Sequence, residues 1–142
     1  MNPNMPRKLK KLGMLLFLLG LLTGLVTMNF KNPRMALAAH LEGLMNGTFL
    51  IVAGLVWNEL KISQTLQKIT SYTLIFGTFS NWLVTLVAAY FATVKMTPIA
   101  GQGFNGSMLE ENIVSAGFIS VALTMIFSVV VFVYGLRGRI NV

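Results

Sequence analysis

The 142-residue chain has no cysteine, which excludes disulfides, thiolate metal sites and thiol nucleophiles within it. Histidine occurs once, as His40, and acidic residues number only four. With a single histidine and no thiolate, a zinc or di-iron centre is poorly supported. Charged residues make up 11%, where a water-soluble domain carries about 25%. So few charges cannot cover a water-facing surface. Paired carboxylates, a Ser/His/Asp arrangement and a phosphate-binding loop are also missing. GQGFNG (101–106) is not a dinucleotide fingerprint, because no strand precedes it.

What the chain does have is apolar length. Hydrophobic residues make up 55% and the mean hydropathy is +0.73. A membrane span needs about 20 predominantly apolar residues, and four segments qualify: residues 9–28, 35–57, 72–93 and 112–136. Backbone polar groups in lipid must be satisfied internally, so the segments read as helices. The expected fold is all-α: a four-helix transmembrane bundle forming one integral membrane domain over residues 1–142. The 29–34 connector is a tight turn with Pro33, 58–71 is polar with room for a short interfacial helix, and 94–111 is a long loop with Pro98 and several glycines.

The net charge of +7 does not imply nucleic acid, because the cations cluster at segment ends rather than on a face. Arg7, Lys8, Lys10, Lys11, Lys61, Lys68, Arg137 and Arg139 fall on one side, and Lys31, Arg34 and Lys95 on the other. This split places both termini in the cytoplasm and the protein in the inner membrane as a multi-pass chain. A secretory signal ending at Ala36-Leu37-Ala38 is the rival reading. Against it, the first apolar run is longer than a signal core, and Lys31 and Arg34 intervene.

Ionisable groups inside a span are functional-site candidates. At about 100° per residue, His40, Gly43, Gly47 and Gly54 share one stripe of the second helix. Glu42 and Asn46, four apart, share a different face. The stripe suits close helix packing, and GLMNG matches GxxxG. It also suits a flat macrocycle with His40 as the single proximal imidazole that haem iron requires. The third helix adds Gly77, Asn81 and Thr85, with Asn81 near mid-span and in need of a partner. Tyr90 lies further along. Ser115, Ser120, Thr124 and Ser128 can bond to their own helix and read as scaffold. Glu110 and Glu111 suit the positive end of a helix dipole.

The blocks NPRMALAAHLEGLMNGTFLIVAGLVW (32–57) and FGTFSNWLVTLVAAY (76–90), with the TPIAG loop (97–101), resemble the hydroxylaminobenzene mutase family. That family rearranges aryl hydroxylamines to ortho-aminophenols. A histidine followed six residues later by Asn-Gly is more distantly similar to the styrene oxide isomerases; here it reads His40 and Asn46-Gly47. The resemblance implies haem b on His40, Asn46 at the substrate oxygen and a homotrimer. It places Thr85 near a position where those isomerases use tyrosine, which departs from epoxide isomerisation. The expectation is a membrane isomerase acting on a small aromatic hydroxylamine, with ferric haem b as a Lewis acid. Asn46, Asn81, Glu42 and Thr85 form the catalytic set, and His40, Gly43 and Gly47 hold the cofactor. Epoxide isomerase and non-enzymatic haem-binding or structural membrane subunit are the competing classes. A multidrug-type transporter would carry no haem.

Overall fold

The computed structural model describes residues 4–137, so Arg139, one of the cations used for orientation, lies outside the described residues. The described residues form five helices and two 3-10 turns, with no strand. Helix α1 runs Met5–Leu25 and the 3-10 turn Thr27–Asn29 follows it. Pro6 sits in α1's first turn, where its missing N–H costs no helical hydrogen bond.

Helix α2, Pro33–Val56, begins where Asn32 caps it by accepting from the Met35 N–H. Asn32 is fully buried. Its amide donates to the Ala100 carbonyl at 2.9 Å and its backbone N–H to the Ala89 carbonyl at 3.1 Å, which ties the first connector to the third connector and to the last turn of the third long helix.

Helix α3, Gln64–Phe91, is longer than the expected 72–93 span. The polar stretch before it does not form a separate interfacial helix. Ser63 caps α3 at Leu66, and no proline or glycine interrupts the chain until Gly77, so the polar start and the apolar span are one helix. It ends at Ala92, which adopts a left-handed conformation with φ 57°. The third connector contains the short α4, Pro98–Gly101. Helix α5, Met108–Gly135, starts in a capping box between Ser107 and Glu110.

Among the described residues, three helical stretches are long and apolar enough to cross a membrane: Pro33–Glu59, Gln64–Phe91 and Met108–Gly135. The fourth expected segment forms α1, whose first two turns hold Arg7, Lys8, Lys10 and Lys11 and leave an uncharged run only from Leu12 to Leu25.

Helix α2 packs against α1 and α3, and α3 carries α5. Helices α1 and α2 meet backbone to backbone. A Cβ on Gly13 would lie 2.6 Å from the Gly47 carbonyl oxygen, and one on Gly43 would collide with the Gly20 Cα. Helices α3 and α5 are joined by the Thr73 and Ser128 hydroxyls, 2.8 Å apart. Ser120, Thr124 and Ser128 also donate to carbonyls of their own helix, as a scaffold role requires, whereas the buried Ser115 hydroxyl has no partner among the described residues. A buried apolar cluster around Leu16, Leu50, Trp57 and Leu74 fills the end where α1 begins. A second, with Met35, Ala36, Ala88 and Val114, fills the opposite end.

Candidate functional site

The candidate residues all come from the middle of α2 and the facing turns of α1 and α3. They fall into two groups on opposite sides of α2.

On the α1 side, His40 is half-buried and its Nδ1 lies 2.8 Å from the Gly20 carbonyl oxygen. A carbonyl oxygen only accepts, so Nδ1 carries the hydrogen. The neutral ring then keeps its lone pair on Nε2. Gly24 makes room for the ring: a Cβ there would lie 2.7 Å from Nδ1.

On the α3 side, the Glu42 carboxylate gathers two amides. Asn46 Nδ2 donates to Glu42 Oε2 at 2.9 Å, and Asn81 Nδ2 donates to the same oxygen. Asn46 is buried and Asn81 half-buried. Glu42 Oε1, the side-chain Oδ1 of both asparagines and the second N–H of each amide make no hydrogen bond among the described residues. The cluster therefore has one closed centre and an open polar fringe.

Thr85 is buried one turn beyond Asn81, and its hydroxyl donates to the Asn81 carbonyl at 2.7 Å. It reaches the cluster only through the backbone of its own helix. Tyr90 is exposed and stands apart.

Between the two groups lies a layer that sequence periodicity did not reveal. Trp82 Nε1 donates to Thr23 Oγ1 at 3.1 Å and so links α3 to α1. A Cβ on Gly43 would also lie 3.1 Å from the Trp82 ring. The only sequence signal for this link was a lone threonine in the apolar run of α1 opposite an indole. Gly43 and Gly47 sit beneath α1, and its backbone fills the space their missing side chains leave.

The donor set limits the metal chemistry. No group of three or more His, Cys, Asp or Glu side chains converges among the described residues. A single imidazole, with its Nδ1 hydrogen held by a backbone carbonyl and Nε2 bare, is the kind of donor that would hold a haem iron. His40 fits that group on tautomer and donor type. The glycine stripe offers it no seat while α1 is packed there.

Comparison with known proteins adds three findings. A family model described as styrene oxide isomerase matches residues 5–137. Hydroxylaminobenzene mutase HabB of Ectopseudomonas oleovorans is 40% identical over 133 residues, which cover 93% of this chain and 81% of HabB. Hydroxylaminobenzene mutase HabA of the same organism is 41% identical over 125 residues, 87% of this chain and 93% of HabA. No solved structure matches.

Proposed function

The chain belongs to the styrene oxide isomerase family and is an isomerase, and within that family we propose that it is a mutase converting an aryl hydroxylamine to an ortho-aminophenol. The activity named for both relatives supports the substrate class. The observation that carries the reading is the Asn46–Glu42–Asn81 cluster, a preorganised polar centre inside an apolar bundle.

The reaction moves a hydroxyl from nitrogen to the neighbouring ring carbon. The N–O bond breaks, positive charge spreads into the ring, the oxygen rejoins at the ortho carbon, and that carbon's hydrogen leaves as a proton while the nitrogen gains one, which restores the aromatic ring. No electrons are gained or lost overall. Haem b, when bound to His40, would supply a ferric Lewis acid for the hydroxyl oxygen.

The remaining work falls to the chain's own residues. Glu42 holds the two amides in fixed orientations across the α2–α3 contact, so no reorganisation is needed as charge develops. Asn46 and Asn81 then use their free N–H groups to donate to the departing oxygen and their carbonyls to orient the substrate N–H. Apolar walls keep out water, which would otherwise capture the ring cation. Thr85 fixes the Asn81 turn. Gly43 and Gly47 act through α1, which they bring close enough to hold the His40 ring.

A second reading, epoxide isomerisation, is favoured by the family description. It loses support at Thr85, whose hydroxyl is turned back onto its own helix.

In this proposal α1, α2, α3 and α5 all cross the membrane, both termini are cytoplasmic, and the protein works as a homotrimer in the inner membrane. Purified protein assayed with hydroxylaminobenzene in ¹⁸O-water should yield 2-aminophenol without label. Styrene oxide given to the same preparation should isomerise far more slowly. A preparation with bound haem that isomerises only the epoxide would reverse the assignment. A low-spin spectrum with two histidine ligands and no turnover of either compound would point to an electron carrier.

A further inference from the structure

At the basic end of the bundle α1 begins, α2 ends and α3 begins, and a cleft of about 520 Å³ opens between them. We propose that this cleft binds a phosphate-bearing anion, of the kind that an acidic phospholipid headgroup presents. The site is separate from His40 and from the carboxylate–amide cluster, and it does not depend on the proposed mutase chemistry.

Three kinds of donor meet in the cleft. The first is Trp57, which lines it while being only 1% exposed. Its ring packs edge-on against Phe132, and no hydrogen bond from its indole N–H is found among the described residues. An indole N–H on so enclosed a side chain ordinarily finds an acceptor, and an occupant of the cleft would provide it.

The second is the start of α3. Ser63 accepts the N–H of Leu66 with its hydroxyl and that of Gln67 with its carbonyl. The N–H groups of Gln64 and Thr65, both in the cleft lining, are left at the positive end of a 28-residue helix. The third is Lys68, an exposed ammonium one turn further on. No carboxylate lines the cleft, and the first turn of α3 has no acidic residue.

Unpaired N–H groups, a helix dipole and an ammonium together match a phosphate rather than a cation or a neutral solute. Gln67 adds selectivity. It is 7% exposed and its amide N–H points to the Ile62 carbonyl at 3.5 Å. Its own carbonyl is left to accept from a hydroxyl on the headgroup beyond the phosphate. Exposed Tyr72 stands at the rim, an amphipathic ring of the kind found at the lipid–water boundary.

The test is native mass spectrometry of the full chain, delipidated in mild detergent and titrated separately with phosphatidylglycerol, phosphatidylcholine and inorganic phosphate. Phosphatidylglycerol should bind once per chain and about tenfold more tightly than phosphatidylcholine, because the Lys68 ammonium repels a choline and a glycerol hydroxyl can donate to Gln67. Lys68→Gln and Trp57→Phe should each weaken it about tenfold, the scale of one hydrogen bond to a charged group. Lys10→Gln makes the same charge change on α1 outside the cleft and should leave binding unchanged. Lys68 is exposed, so its substitution reads binding without disturbing the fold. If inorganic phosphate alone binds, with the same dependence on Lys68 and Trp57, the anion site stands and its ligand is free phosphate. Phosphatidylcholine binding as tightly as phosphatidylglycerol, or Lys68→Gln and Trp57→Phe both titrating like the unaltered chain, would overturn the proposal.

Discussion

Asn81 on α3 donates a side-chain hydrogen bond to Glu42 on α2, across 39 residues of sequence, and Glu42 Oε2 accepts the Asn46 amide as well. One carboxylate oxygen thus sets the orientation of both amides that face the proposed substrate.

Replacing that carboxylate should disturb both amides at once. Glu42→Gln replaces one carboxylate oxygen with an NH2 group, whose two N–H donors then sit among amides that are themselves donating. Hydrogen bonds to charged groups contribute about 1.5–3 kcal/mol, so turnover should fall by roughly tenfold to a hundredfold if most of that loss is felt in the transition state. Haem content should stay unchanged. Glu42→Gln and Asn81→Ala should also be non-additive in a double-mutant cycle of kcat. Strictly additive losses would mean that Glu42 does not act through Asn81.

Asn46→Ala removes one donor to the departing oxygen while leaving His40 untouched. The expected loss in kcat is about 10²–10³-fold, the cost of one oxyanion donor, with the visible spectrum of the bound haem preserved. The assay is 2-aminophenol formation and haem absorbance on the same sample.

His40→Ala should behave differently and lose haem and turnover together, because no other imidazole or thiolate exists in the chain. Free imidazole added to that variant should restore part of the haem spectrum. Full haem occupancy and normal turnover without His40 would return this residue to helix packing.

Gly43→Ala should destabilise the chain without touching the cluster's side chains. The added methyl runs into the Gly20 Cα and the Trp82 ring, and overpacking of this kind costs about 1–3 kcal/mol. The melting temperature in detergent should drop by several degrees. Gly103→Ala is a poor comparator because Gly103 has φ 88°, so Ala116→Gly on α5 serves as the mild control.

Reporter fusions should place Val142 and the 95–110 connector on opposite sides of the membrane if four helices cross it. Labelling on the same side would mean an even number of spans between them, and the four-span arrangement would fall.

The helices were legible because apolar length is a one-dimensional property. Asn32, Ser63 and Ser107 then set their starts by local capping that any helix obeys. The boundary at 64 was missed because hydropathy marks where a helix enters lipid, not where it begins. The Glu42–Asn46 bond was legible as well, since four residues is one helical turn. Asn81 could be seen to need a partner, but its choice of Glu42 depends on how α2 and α3 slide against each other, and periodicity within one helix does not encode that register. The same holds for Trp82 and Thr23. The glycine stripe was recognised as a groove, yet groove and ligand seat look alike in sequence. Only the position of α1 distinguishes them.

The backbone contact between α1 and α2 also decides where a proton sits. With glycines at both faces, the Gly20 carbonyl comes within 2.8 Å of His40 Nδ1. A side chain in that seam would move the carbonyl away and free the imidazole to exchange tautomers. Four missing side chains, on Gly13, Gly20, Gly43 and Gly47, thus act as a spacer gauge on an aromatic ring, and the distance between two helices is converted into the choice of which nitrogen is basic.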